Sequence, residues 1–167
     1  MRMIDKAEEM GLKVKLLPSV VIISHPMSDD VVASVSWDTD KMYGDCLSTA
    51  HVTGAQAEHG LGPLAYEIAI EKTGGLMSDR TTVSPAATAV WDYYMDNRKD
   101  IKVDQLDISD DYLEPQLTPK DKSDDCEQVQ AYNNRGHKWY TSSLSKKYSK
   151  SGTPVIAELD KRGMLEK

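Results

Sequence analysis

The residues of this sequence best suited to chemistry are the two closely spaced glycines of Gly60-Leu61-Gly62-Pro63. Glycine lets the backbone turn sharply and approach a ligand closely. The free N–H groups at the start of a helix favour a negatively charged group. The pattern predicts an anion site held by the backbone of Gly60, Leu61, Gly62, Leu64 and Ala65. A strand-to-helix turn that binds no ligand is the alternative.

Regular elements on both sides of the glycines would position this site. A strand is predicted over 46–53, and the helix after Pro63 is predicted over 64–72, where Gly74 and Gly75 end it. A short buried strand at 76–78 comes next. Ser84 is a typical N-cap, Pro85 suits the first helical position, and apolar residues at helical spacing predict a helix to about Arg98.

Before the site, the pattern predicts a short helix over 5–11, capped by Asp5, and two β-rich stretches. The first covers 13–17 and continues through 20–24, and the second covers 31–37; Pro18 and the loop 25–30 interrupt them. After Ile101 the chain becomes polar, and 102–142 is predicted to be a long irregular arm. Helical character returns at 142–148 and 154–159. These patterns predict one domain, with a core at 1–101 and an arm with C-terminal helices at 102–167 packed on it.

Composition narrows the classes of function. The chain has 167 residues and a formal charge of −7, which argues against nucleic acid as a partner but leaves room for one small anionic ligand. Cys46 and Cys126 form no C-x-x-C pair and are predicted to be reduced thiols. There is no secretory signal pattern and no apolar run of membrane-spanning length, so an intracellular protein without membrane contact is expected.

Other groupings of reactive side chains are weaker. The histidines show no metal-ligand spacing, so no metal site is predicted. Cys46 and His51 would lie on opposite faces of one strand, which argues against a nucleophile–base pair. Asp79 and Arg80 would form a loop-fixing salt bridge or, alternatively, a binding pair. The acidic run 107–111 has the composition of a calcium loop but not the spacing of an EF-hand.

The strand, G-x-G turn and helix, followed by a short strand and a second helix, resemble the GNAT acyltransferase superfamily. The stretch 57–62 matches the family pattern Q/R-x-x-G-x-G/A at both glycines, and 84–91 resembles the next family helix. The segments 60–64, 78–80, 83–85 and 90–94 look closest to small GNAT-like proteins of bacteriophages. The resemblance implies an α/β (α+β) fold, with a mixed, mostly antiparallel central sheet flanked by helices and a long irregular C-terminal arm.

The resemblance also implies a function. Acetyl-CoA would bind at the glycine turn, and the acetyl group would pass to an amine of an unknown acceptor. Tyr94 is the best available acid, since Trp91 stands where many members have a tyrosine, and His51 is a candidate base. Ala57 stands at the family's Q/R position. These departures and the polar arm favour an alternative, an inactive phage scaffold or host-protein inhibitor with a protein partner, in the host cytoplasm or the virion.

Overall fold

The fold is built on a single curled sheet in the computed structural model, which describes residues 2–39, 46, 50–108, 115–132 and 139–166. Strands with buried side chains at alternate positions form it, since successive side chains point to opposite faces. The strands are β1 Lys13–Leu17, β2 Val20–Ser24, β3 Val31–Asp38, β4 Ala50–Ala57, β5 Leu76–Met77, β6 Ile101–Gln105, β7 Lys146–Lys150 and β8 Leu165–Glu166.

The described strands lie in the order β6-β7-β5-β4-β3-β2-β1-β8. Neighbouring strands are antiparallel except for the pairs β4–β5 and β1–β8, which are parallel. A mixed, mostly antiparallel sheet with flanking helices is an α+β architecture, as the sequence predicts. The parallel pair β4–β5 matters most here, because the helix that carries the G-x-G turn connects these two strands.

Four α-helices lie among the described residues: α1 Arg2–Glu9, α2 Gly62–Thr73, α3 Pro85–Asn97 and α4 Pro154–Lys161. Helix α2 is apolar on nearly all sides and is almost completely buried, which is expected of a helix packed between a sheet and other helices. Gly74, in the left-handed conformation, ends it. Ser84 caps α3 by accepting a hydrogen bond from the Ala87 N–H, as predicted.

Several predicted elements are wrong in position or type. Helix α1 begins at Arg2, so Asp5 lies inside it and bonds Arg162 instead of capping the helix. The strand predicted over 46–53 is β4 at 50–57, and residues 47–49 lie outside the described part of the chain. A register shift opposite Ser36 and Trp37 lets β4 continue past Thr53.

The C-terminal part contributes more to the sheet than the sequence predicts. The predicted arm begins as strand β6, and the helix predicted over 142–148 is a short 3₁₀ turn followed by strand β7. Strand β7 lies between β5 and β6, so both of its edges are paired. The side chains of Tyr148 and Lys150 are enclosed, whereas those of the other two lysines and the serine keep exposed surface.

The prediction of two reduced thiols is wrong in this structure, because Cys46 and Cys126 form a disulfide. The two residues are 80 positions apart in sequence, yet their Cα atoms lie 4.8 Å apart. Their spacing gives no sign of the pairing, since only the folded chain brings the cysteines together. The bond links the segment before β4 to the segment that follows the predicted acidic run.

No helix formed by the described residues has the length and apolar character that crossing a membrane requires.

Candidate functional site

The candidate site lies along the part of β4 that is not paired with β5. Strand β5 pairs with β4 only at Ala50 and His51, whereas β3 stays paired with β4 as far as Ala57. Among the described residues, the rest of β4 therefore has one edge paired with β3 and one edge without a strand. Unpaired strand edges present N–H and C=O groups that can hydrogen-bond an extended partner.

The pairing register shows which backbone groups face this open edge. Glu58 donates its N–H to the Val32 carbonyl at 2.8 Å, which makes these two residues a hydrogen-bonded pair. In an antiparallel ladder the hydrogen-bonded pairs alternate with non-hydrogen-bonded ones. The N–H and C=O groups of Ala55 and Ala57 therefore point away from β3, toward the open edge.

The G-x-G turn follows directly at the end of this edge. His59 and Gly60 both have positive φ, at 57° and 72°, so the chain reverses through the left-handed region before α2 begins. A Cβ on Gly62 would lie 3.1 Å from the Ala57 Cβ, closer than side chains normally pack. Position 57, where the GNAT pattern has Q/R, is thus in close contact with the second glycine, and both residues are small.

The structure divides the five predicted backbone ligands into two groups. The N–H of Leu61 donates to Glu58 and that of Ala65 donates to Leu61, both at 3.2 Å, so neither amide hydrogen is available. The amides of Gly60, Gly62 and Leu64 have no acceptor within the described part of the chain. Of these three amides, those of Gly60 and Gly62 belong to residues that line the crevice described next, whereas Leu64 lines a different cavity.

A crevice lies beside the open edge and the turn. A cavity of about 440 Å³ is lined by the turn, by the end of β4 and by the start of α3. A second cavity of about 260 Å³ extends toward the end of β5. The two share the lining residues Ala55, Tyr66, Ser84 and Ala87, and we refer to both together as the crevice. No described residue after Val90 lines the larger cavity, so the described part of the predicted arm leaves the turn uncovered.

A cation that the sequence analysis missed lies at the turn. The Lys6 ammonium, carried by α1, donates to the His59 carbonyl and lies 3.7 Å from where a Cβ on Gly60 would be. Lys6 is exposed, so the charge can reach a ligand at the turn. Because α1 is 53 residues away in sequence, no local pattern could have linked this lysine to the glycines.

The predicted acid Tyr94 is placed away from solvent. It is fully buried, and its hydroxyl donates to the Pro63 carbonyl at 2.6 Å. Burial and then the charge of Glu67 raise the pKa of Tyr94 well above its ordinary value. Trp91 packs between Tyr66 and Tyr148 and does not offer a hydroxyl. The observed role of Tyr94 is to fix α3 against the first turn of α2, and its role as an acid stays a prediction.

The predicted base His51 is buried on β4, where β4 and β5 still pair. It lines neither cavity of the crevice among the described residues. Its part in catalysis therefore stays a prediction. Tyr94 lines a different cavity, beside Glu67 and Arg98.

The interpretation of Asp79 and Arg80 as a salt bridge is wrong. The Asp79 carboxylate accepts hydrogen bonds from Thr81 and Thr82, which is a local turn. The buried Arg80 guanidinium instead donates to backbone carbonyl groups of distant segments, including those of Leu144 and Glu127. Arg80 thus ties the end of β5 to the C-terminal part of the chain.

The acidic run also has a structural role where the structure describes it. Asp107, Asp124 and Asp125 come within 4.8 Å of one another. The Asp107 carboxylate accepts N–H groups from Ile108, Leu117 and Thr118. Burial raises the pKa of Asp107, but these hydrogen bonds outweigh it and the net pKa is lowered. The calcium interpretation gains no support, since Asp107 is already satisfied by protein donors; residues 109–114 lie outside the described part.

A buried charge network lies behind the crevice, on the other side of α2. Lys150 bonds Glu67 at 2.8 Å and Glu71 at 2.5 Å, and Arg98 forms a two-pronged pair with Glu67. Glu71 also accepts the N–H groups of Val155 and Ile156, so it caps α4. Glu67 and Glu71 are four residues apart and share one face of α2. The network therefore connects α2, α3, β7 and α4.

This network predicts a loss of stability at both ends of the pH scale. Burial raises the pKa of Glu67, but the hydrogen bonds from Arg98 and Lys150 lower it by more. The net pKa of Glu67 is therefore below its usual value of 4.5. Burial lowers the pKa of Lys150, but hydrogen bonds from Glu67 and Glu71 raise it above its usual 10.5. The stabilisation is complete between these two ordinary values. It is lost as the pH falls through the folded-state pKa of Glu67 or rises through that of Lys150.

Thermal unfolding followed by circular dichroism across pH checks this prediction. We expect Glu67→Gln to have a lower melting temperature than the wild type at pH 7 and a weaker decline below pH 4.5, the usual value for this group. An acid decline of equal steepness in both proteins would contradict the role given to Glu67.

Comparison with known proteins finds no matching family model, no matching curated protein and no matching solved structure, so function is argued from the geometry of the crevice.

Proposed function

We propose that this chain is a GNAT-like acyltransferase that binds acetyl-CoA in the crevice and transfers the acetyl group to an amine. One observation carries the proposal: the open edge of β4 leads directly into a turn whose Gly60 and Gly62 amides have no acceptor among the described residues, and both the edge and these amides open on the same crevice. Membership of the GNAT superfamily is part of this proposal.

The chemistry of coenzyme A suits this arrangement. Its diphosphate would accept hydrogen bonds from the amides of Gly60 and Gly62, where the positive end of α2 and the Lys6 ammonium favour negative charge. Its extended arm carries amide groups that match the outward N–H and C=O groups of Ala55 and Ala57. The larger cavity, at about 440 Å³, is within the range of small-molecule sites.

The reaction requires little from the protein beyond positioning. The neutral amine nitrogen attacks the thioester carbonyl carbon and forms the C–N bond. The C–S bond then breaks, its electron pair leaves with sulfur as a thiolate, and the nitrogen loses a proton to water. Holding the thioester along β4 beside an acceptor contributes by proximity, and backbone N–H groups of the open edge can stabilise charge on the carbonyl oxygen.

A second candidate is a GNAT-like phage protein without turnover, which binds a protein of the phage particle or the host. The positions of two aromatic residues favour this candidate. Trp91 offers no hydroxyl, and the hydroxyl of Tyr94 is engaged with Pro63. This candidate predicts that the crevice does not bind the coenzyme.

Acetyl-CoA is expected to raise the melting temperature of the purified protein. Ligand at 100 times its dissociation constant adds about 2.7 kcal/mol to the free energy of unfolding. Ala87 lines both cavities and is partly exposed, so Ala87→Trp should fill the crevice and abolish the shift while the chain still folds. Differential scanning fluorimetry with and without acetyl-CoA measures the melting-temperature shift of the wild type and of Ala87→Trp.

Ala89→Trp is the matched control, because Ala89 lies on the same helix, is exposed and is outside the crevice. Its shift with acetyl-CoA should equal that of the wild type. If millimolar acetyl-CoA does not change the melting temperature of the wild type, the proposal is contradicted and the non-catalytic candidate is favoured.

A further inference from the structure

The crevice contains a buried phenol that the sequence analysis did not single out. Tyr66, on α2, is 5% exposed and lines both cavities, so its small exposed surface faces the crevice. Within the described part of the chain, its hydroxyl has no hydrogen-bond partner. The Tyr66 oxygen is not fully enclosed, so water or a ligand in the crevice can form a hydrogen bond with it.

The other buried tyrosines differ from Tyr66. The hydroxyl of Tyr94 donates to Pro63 at 2.6 Å, and that of Tyr148 donates to Ser143 at 2.7 Å. Both phenols are therefore used by the fold itself. Tyr66 is held only through its ring, which packs edge-on against Trp91 with 5.1 Å between centroids. The ring is fixed by packing, and the oxygen is left for the crevice.

The position of Tyr66 along the crevice indicates what it meets. The larger cavity holds the glycine turn, and the smaller one lies near Asp79 and Val83 at the end of β5. Tyr66 belongs to both, so it lies at their junction, beyond the anion end and beside the open edge of β4. A ligand whose diphosphate lies at the turn and whose arm follows β4 brings its acyl end past this hydroxyl.

Resting on the proposed acyl transfer, we propose that Tyr66 is the hydrogen-bond donor that the crevice presents to the acyl thioester. Its hydroxyl stabilises the negative charge that develops as the amine adds and the C–S bond breaks. Hydrogen bonds to charged acceptors are about twice as strong as those to neutral ones, so the contribution grows toward the transition state.

Tyr66 keeps its proton in this step. Burial, with a further contribution from the charge of Asp79, raises the pKa of Tyr66 to about 12. A thiol has a pKa of about 8.5, so sulfur leaves as a hydrogen-bonded thiolate and takes its proton from solvent. Tyr66 accordingly adds no ionisation to the pH–rate profile in the neutral range.

Tyr66→Phe tests the proposal, with acetyl-CoA as the thioester and lysine, spermidine and a lysine-containing peptide as amines. Release of free thiol gives kcat and KM, and scanning fluorimetry gives binding and stability. We expect kcat to fall on the order of 10²-fold, as for loss of one donor to a developing anion. KM, the shape of the pH profile and the melting temperature without ligand should change little.

Two tyrosine variants complete the design. Tyr93→Phe, at an exposed residue outside the crevice, should match the wild type in every measurement. Tyr94→Phe removes a hydrogen bond within the protein and should lower the melting temperature without ligand. A similar loss of stability in Tyr66→Phe would show that its hydroxyl has a protein partner, and would overturn the inference.

The remaining outcomes separate this inference from the proposed function. If the wild type binds acetyl-CoA and releases thiol, but Tyr66→Phe has the same kcat as Tyr93→Phe, the role of Tyr66 is wrong and the transferase stands. Binding without thiol release would overturn both the transfer reaction and the donor, and leave a coenzyme site. Absence of binding would overturn the proposed function and this inference together.

Discussion

Reduction of the Cys46–Cys126 disulfide is expected to lower the free energy of unfolding substantially. The two cysteines are 80 residues apart, so the bond removes many conformations from the unfolded chain. The chain-entropy relation gives about 4–5 kcal/mol for a loop of that length, with measured values often smaller. Urea unfolding followed by tryptophan fluorescence, with and without a reductant, measures the difference.

The double variant Cys46→Ser, Cys126→Ser is the control for this measurement. It should unfold at the urea concentration that the reduced wild type requires, and a reductant should not change it further. A wild-type midpoint that is the same with and without reductant would contradict the bond or its contribution. Counting free thiols in the denatured protein before and after reduction separates these two explanations.

The disulfide also bears on the predicted location. Disulfides persist in oxidising surroundings and are rare in the cytosol, where thiols are kept reduced. The stabilisation therefore depends on the redox conditions around the protein, and the choice between a host cytoplasm and a virion stays a prediction.

The fold could be predicted from sequence where a local pattern decides the structure. The first predicted β-rich stretch forms strands β1 and β2, which pair with each other across the turn at Pro18. Helix α3 has its predicted cap at Ser84, because the serine hydroxyl acts on its own helix. Strand β7 could not be recognised, since lysines and a serine surround its one apolar residue, Tyr148, and the strand is stabilised by neighbours distant in sequence.

In the candidate site, too, the residues that could be predicted are those whose role is set by the local sequence. Gly60 and Gly62 stand out in sequence because a turn that opens a helix needs them locally. The N–H groups of Leu61 and Ala65 donate to carbonyl groups of the turn and of the helix start. Whether they do so depends on how tightly the turn closes, which the amino-acid composition does not determine. Lys6 and Tyr66 were missed because each acquires its significance only from tertiary placement: one beside a distant turn, the other at the junction of two cavities.

Glu71→Ala is expected to be the most destabilising single substitution in the charge network. The Glu71 side chain has no exposed surface, and it accepts hydrogen bonds from the Lys150 ammonium and from two backbone N–H groups of α4. Removing one partner of a buried ion pair costs about 3–5 kcal/mol, because the remaining charge is left incompletely compensated. Urea unfolding of the variant and the wild type measures this loss.

Two further variants show whether the charge or the cap is responsible. Glu71→Gln keeps an oxygen that can accept the α4 N–H groups but removes the charge facing Lys150, so its loss should be smaller than that of Glu71→Ala. Glu8→Ala removes an exposed partner of Arg162 and should change stability very little. If Glu71→Ala were no more destabilising than Glu8→Ala, the network could not be what joins α2 to β7 and α4.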